Sequence, residues 1–253
     1  MRLLHSGIHP RGQVHDMKID CYTICWNEEE FLPYFLRHYR TFCRSITVFD
    51  NQSTDRSRNL CRDAGASVVE WDTGNQQDNN LMCDIKNTCW KSSDADYVVV
   101  CDVDEIVCGL DRLLPSPNAV LRCRGWQMVG QGEPPELTRL ALPDELYSKC
   151  AVFDPHVQAL KYSCGCHDCT PAGHKGTIDS RLDLLHYSMR SEDNMVSRWK
   201  RYAARASAAD RAAGWGAQYY LPEAEQRARY REARENAVQL PSTIIPAFAA
   251  RPR

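Results

Sequence analysis

The sequence predicts an α/β fold, with a mostly parallel central sheet flanked by helices and a helical C-terminal segment. Three observations carry that expectation. β-Branched runs alternate with helical periodicity over the first hundred residues, polar clusters follow those runs, and 43% hydrophobic content in 253 residues is enough to bury one large core.

Residues 1–16 show no periodicity and read as a flexible lead-in. The run KIDCYTIC at 18–25 is apolar and β-branched, fit for a buried strand. A helix follows over Glu28 to Phe42, where Phe31, Leu32, Phe35, Leu36 and Tyr39 recur at helical spacing. Glu28, Glu29 and Glu30 fall in its first turn, where the helix dipole favours acids. SITVFD at 45–50 is the second strand.

The unit then repeats. Ser53 or Thr54 is placed to cap a helix running to Ala64, Gly65 ends it, and residues 66–71 make a third strand. A helix over 80–92 leads into DYVVVC at 96–101, the most strand-like run in the chain. Strands alternating with helices pair in parallel through right-handed crossovers and open a ligand crevice at their C-terminal ends.

Beyond Gly109 the pattern loosens into shorter strands and Pro-rich loops. A long helical stretch runs from Glu192 to Ala213, and a strongly charged helix spans 222–239 before Pro241 and a tail at 240–253. The expected organisation is one domain over 17–213, followed by a C-terminal helix and tail over 214–253.

Composition narrows the function. The 31 basic and 33 acidic side chains leave a formal charge of −2, against the basic excess that drives nucleic-acid binding. No window approaches the roughly 18 to 20 apolar residues of a membrane span, and the first residues lack a signal-peptide core, so the expected location is cytoplasmic. The arginines of 222–239 allow at most peripheral contact with a membrane surface, since the apolar face there is thin. Thirteen cysteines, an odd number placed partly in core strands, read as reduced and buried. Cys164, Cys166, His167 and Cys169 are zinc-type ligands, more tightly spaced than paired Cys-x2-Cys knuckles, and a structural zinc site there stays open.

The chemistry gathers at strand ends. Trp26–Asn27–Glu28 follows the first strand, Asp50 to Asp55 the second, and Asp102–Val103–Asp104–Glu105 the DYVVVC run. A dinucleotide site would need Gly-x-Gly-x-x-Gly after the first strand, and CWNEEE has none. A bound diphosphate would instead be neutralised by a hard cation, Mn2+ or Mg2+, held by Asp102 and Asp104, which alternation along an extended segment puts on one side. A sugar-nucleotide-forming nucleotidyltransferase is disfavoured, because it would want a basic, glycine-rich phosphate loop near the first strand.

The blocks TICWNEEEFLPYFLRHY, VFDNQSTD and IKNTCWKSSDADYVVVCDVDE, within residues 18–108, resemble the GT-A glycosyltransferases, particularly the family 2-like group. That resemblance implies a Rossmann-like GT-A fold and a nucleoside diphosphate sugar donor, UDP-linked, whose sugar passes to a hydroxyl of a glycan or glycolipid. It implies that Thr23, Asn27 and Glu28 line the base and ribose, that Asp50 bonds the base, and that Lys86 faces phosphate or sugar. Asp102 would approach the ribose or the cation, and Asp104 would bind the cation. In the second half, LLHYSMRS at 184–191 resembles the element whose histidine completes the metal sphere, nominating His186 as third ligand, with His167 its rival, and Arg190 as a diphosphate contact.

Inverting transfer needs a carboxylate base. Glu192 and Asp193 resemble the acidic pair of inverting family 2 enzymes, although acids behind a serine cap need no function. Asp144, Glu145, Asp168 and Asp183 compete with them. Bland readings exist elsewhere: Ser53, Thr54 and Asp55 are good helix-capping chemistry, and Lys86 reads equally as a surface lysine. The rival to an enzyme is a catalytically silent nucleotide-sugar or carbohydrate-binding module on the same fold.

Overall fold

The computed structural model describes residues 17–157, 160–163, 167–170, 177–244 and 246–249. The chain is α/β, and its described residues build a ten-stranded mixed sheet with a separate two-stranded ribbon.

Strand β1 (Ile19–Cys25) is buried along its whole length, as its unbroken apolar run requires of a strand covered on both faces. Helix α1 (Leu32–Tyr39) begins later than its periodicity suggested, because the Glu28 carbonyl accepts the Phe31 and Leu32 amides in a preceding turn and Pro33 occupies the first helical turn. Its buried face presents Leu32, Phe35, Leu36, His38 and Tyr39.

Next come β2 (Ser45–Asp50), α2 (Ser57–Asp63) and β3 (Ser67–Glu70). Ser53 does not cap α2; its hydroxyl accepts the Asn27 amide at 2.9 Å and ties the second strand's loop to the first strand's. Gly65 ends the helical turn in the left-handed region, at φ 72°. After α3 (Asn79–Thr88), whose Asp78 cap accepts the Asn80 and Leu81 amides, the chain enters β4 (Tyr97–Val100). Strands β3, β2, β1 and β4 lie side by side and parallel, so their C-terminal ends share one edge.

The second half departs from the expected short strands. β5 (Glu105–Cys108), β6 (Val120–Val129), β7 (Leu140–Pro143) and β8 (Val152–Phe153) extend the sheet, the small ribbon joins β9 (Lys161–Tyr162) to β10 (Cys169–Thr170), and β11 (Thr177–Met189) runs for 13 residues. β11 pairs antiparallel with β5 and parallel with β6, setting His186 opposite both Glu105 and Gln127. That register decides the site.

The stretch 192–213 is two helices, α4 (Glu192–Arg205) and α5 (Ala208–Ala212), divided where Ala206 turns extended and Ser207 caps the second by accepting the Asp210 amide. α6 (Glu223–Asn236) follows, and β12 (Val238–Gln239) pairs with β7. The segment after Pro241 is no loose tail. Leu240, Ile244 and Phe248 are core residues, Phe248 meeting Tyr34, Tyr187 and His38, while the Ala247 amide donates to His38 Nδ1 at 2.9 Å. No helix among the described residues is long and apolar enough to cross a membrane.

Candidate active site

A cleft of about 620 Å³ opens along the C-terminal ends of the parallel strands and is closed on its far side by α4 and the turn before α6. Of the residues singled out in the sequence, it gathers Glu28, Lys86, Asp102, Asp104 and His186, with the competing candidates Asp144 and His167.

Asp102 follows β4 and is half-buried, with Oδ1 2.5 Å from Lys86 Nζ and Oδ2 3.6 Å from Lys149 Nζ. Burial opposes its ionisation, yet Lys86 and Lys149 outweigh that cost and hold its pKa down at about 2. Asp104 is buried, and its Oδ2 accepts from Arg198 at 2.9 Å and lies 3.3 Å from His186 Nε2. Against the cost of burial, Arg198 and His186 keep this carboxyl well below the usual carboxylate range.

Gln127 fixes the tautomer of His186. Its Nε2 donates to the Met128 carbonyl at 2.9 Å and the His186 carbonyl at 3.0 Å, so Oε1 must be the acceptor for His186 Nδ1, 2.8 Å away, and for the Ser188 hydroxyl. With Nδ1 given to Gln127, the other ring nitrogen, Nε2, is the one that faces Asp104 Oδ2. Tyr147 stacks on the imidazole, with ring centroids 3.8 Å apart.

Three important cleft residues escaped the sequence reading. Arg198, buried on α4, bridges Asp104 and Glu28, the latter at 3.2 Å, and is also bonded by Tyr202 at 2.7 Å. Burial, opposed by Arg198 and reinforced by Asp104, raises the Glu28 pKa. Lys149, buried beside Tyr147, pairs with Glu105. The Arg205 guanidinium carbon sits over the Trp26 ring, 3.6 Å from its centroid, the side chain donates to Asn51 Oδ1, and burial lowers its pKa to about 10. The only hint of Arg198 and Arg205 in the sequence is their polarity within an amphipathic helix, which does not reveal which way they face. Around Arg205 two buried donors, Trp26 Nε1 and Asn51 Nδ2, have no hydrogen-bond partner among the described residues.

Other nominated residues lie elsewhere. Thr23 is buried within β1, its hydroxyl 3.5 Å from the Ile24 carbonyl. Asn27, at φ 50°, accepts the Thr54 amide at 2.8 Å and shapes its loop. Asp50 is 1% exposed and accepts the Ser53 amide, leaving the cleft to its neighbour Asn51. Arg190 turns away to Glu30 at 2.8 Å. Glu192 and Asp193 face α6, pairing with Arg231 at 2.9 Å and Arg227 at 2.8 Å, on a surface separate from the cleft. Acids in the first turn of α4 here answer to arginines across the helix pair, which corrects their nomination as catalytic base.

His167 lines the cleft on the other side of Tyr147, with Nδ1 held to the Leu146 carbonyl at 3.0 Å, and has no bond to Asp102 or Asp104. Cys164 and Cys166 of the zinc alternative lie outside the described residues. Among the described residues no three His, Cys, Asp or Glu side chains form a ready-made metal cluster.

No family model matches the sequence, and no curated protein matches it. Among solved structures, glucosyl-3-phosphoglycerate synthase from Mycobacterium tuberculosis in complex with phosphoglyceric acid is similar at 19% identity and TM-score 0.28, over 36% of this chain and 34% of that one. The same enzyme with Mn2+, uridine diphosphate and glucosyl-3-phosphoglycerate aligns at 19% identity and TM-score 0.27, over 36% and 34%. A structure described as a mycobacterial protein aligns at 17% and 0.32, over 44% and 41%. The match thus spans less than half the length of these chains, and likenesses so partial assign no function.

Proposed function

We propose that the cleft transfers a sugar from a nucleoside diphosphate donor, UDP-linked, to a hydroxyl of a glycan or glycolipid, with a divalent cation at Asp102, Asp104 and His186. The observation that carries this reading is the convergence of Asp104 Oδ2 and His186 Nε2, 3.3 Å apart, the imidazole oriented by Gln127.

Asp104 and His186 are spaced as two ligands of Mn2+ or Mg2+ would be, and Asp102 would join them by leaving Lys86 and Lys149. Two ligands at right angles around one ion, each at about 2.1 Å, stand about 3 Å apart. Four carboxylates, Glu28, Asp102, Asp104 and Glu105, stand against three protein cations, Lys86, Lys149 and Arg198. The hydrogen bond from a ligating histidine's second nitrogen to Gln127 is the outer support that such sites use. When bound, the cation supplies charge stabilisation to the departing diphosphate.

This chain's own residues do the rest. Lys86 and Lys149 hold positive charge where the diphosphate carries its negative charge. The guanidinium of Arg205 on Trp26, with the Asn51 and Trp26 donors that have no partner among the described residues, offers a planar face and hydrogen bonds to a nucleobase. Trp199, Tyr202 and Tyr219 wall the opposite side. A binding-only reading finds support in Arg198, which already neutralises Asp104; slow UDP release from a donor would exclude it.

A thermal-shift panel of nucleotide sugars, with and without Mn2+, tests the proposal, since ligands that bind only the native state raise its melting temperature. A UDP-sugar that stabilises only with Mn2+ supports it; no shift from any nucleotide sugar sinks it.

A further inference from the structure

We propose that Asp144 is the catalytic base that deprotonates the acceptor hydroxyl, an assignment that rests on the transfer reaction proposed above. Four carboxylates line the cleft among the described residues: Glu28, Asp102, Asp104 and Asp144. Three are committed. Glu28 and Asp104 share Arg198, and Asp102 is held by Lys86 and Lys149. Asp144 has no ion pair: Oδ1 accepts the Leu146 amide at 2.9 Å, and Oδ2 has no hydrogen-bond partner among the described residues. A base needs a lone pair that no protein cation already holds, and in this cleft Asp144 supplies it.

Its position is built with care. The turn from Asp144 to Lys149 also delivers Tyr147, stacked on His186, and Lys149, so the free carboxylate stands three residues from a ring in contact with the centre. The Asp144 amide donates to the Gly125 carbonyl at 3.0 Å, and the Gly125 amide donates to Ser148 Oγ at 3.0 Å. A Cβ at position 125 would fall 2.3 Å from the Asp144 carbonyl oxygen and 2.4 Å from Tyr147 carbon, so only glycine lets the turn lie this close on β6. Neighbouring Glu145 points away and pairs with Arg122.

In the step, Asp144 Oδ2 takes the acceptor's proton while the acceptor oxygen bonds to the anomeric carbon. The bond from that carbon to the phosphate oxygen breaks, its electron pair leaves on the nucleoside diphosphate, and water then takes the proton from Asp144. With water as acceptor the same step hydrolyses the donor.

The test measures UDP release from UDP-glucose, UDP-galactose and UDP-N-acetylglucosamine with Mn2+, with and without sodium azide, in wild type and Asp144→Asn. The variant is expected to bind UDP within about twofold of wild type yet release it roughly 10² to 10⁴-fold more slowly from the best donor. Azide, an anion that needs no deprotonation, should restore release in the variant and change wild type little. Asp144→Ser, which keeps an oxygen for the Leu146 amide, carries the same expectation if the first variant misfolds. Wild-type rates in the variants, or a loss that azide does not restore, overturn the assignment while leaving the transfer reading intact. A wild type that neither binds UDP nor releases it from any of the three donors overturns both.

Discussion

His186 Nε2 lies 3.3 Å from Asp104 Oδ2, and the opposite ring nitrogen is held by Gln127, so an imidazole nitrogen and a carboxylate meet beyond the C-terminal end of β4. A metal cation would take up both atoms at once, whereas Arg198 reaches only the carboxylate.

Removing the Asp104 charge tests that demand. Asp104→Asn changes little volume, and Arg198 retains Glu28 and Tyr202, so a cooperative melt is expected to survive. Turnover should fall by roughly 10² or more, as for loss of a strong electrostatic contact. Steady-state UDP release beside a thermal melt makes the comparison, and near-normal turnover would refute the role.

Gln127 should act through His186. Gln127→Leu removes the acceptor for Nδ1 and is expected to weaken Mn2+ binding by about 10- to 100-fold, read from the free-ion signal in an electron paramagnetic resonance titration. Unchanged affinity would show that His186 does not ligate.

The ion pairs of Glu192 and Asp193 with α6 lead to a different expectation. Glu192→Gln and Asp193→Asn should each leave kcat within about threefold of wild type, the effect of a residue outside the chemistry. A loss of a hundredfold would return them to the active site.

How much of this could be foreseen depends on the range of the signals. The parallel half was legible because periodicity and capping are local: KIDCYTIC, SITVFD and DYVVVC became β1, β2 and β4 within a residue or two. The polar clusters after them share an edge because parallel register puts them there. Which member of each cluster faces the cleft was not legible. Asp50 and Asn51 are chain neighbours, and the end of the strand turns only the second inward. The 13-residue β11 hid behind DSRLD, where charges pair across strands, as Asp183 does with Arg124 at 2.7 Å. Arg198 and Lys149 reach the cleft through contacts spanning many residues, and no local pattern marks them, while nothing local separated Asp144 from Glu145, Asp168 and Asp183.

A pH effect follows from His38. It donates from Nε2 to the Val107 carbonyl and accepts the Ala247 amide at Nδ1, and burial lowers its pKa to about 4. The folded value lies below the unfolded one of about 6.5, so between them the unfolded chain binds more protons. Its stabilising contribution is complete above about pH 6.5 and declines as pH falls toward 4, by about 3 kcal/mol over the window. Denaturant melts between about pH 7 and pH 4.5 should show that slope. His38→Gln should flatten it, and an identical slope in the variant would contradict the assignment.

The central claim is that a divalent cation at Asp102, Asp104 and His186 joins the protein to a nucleoside diphosphate, and UDP calorimetry tests it most directly. With Mn2+ present, UDP should bind at least tenfold more tightly than in EDTA, a difference of about 1.4 kcal/mol or more. The Asp104→Asn protein should show no such gain. Equal UDP affinity with and without the metal would contradict the claim and leave Lys86, Lys149 and Arg198 as the whole of the charge that meets the diphosphate.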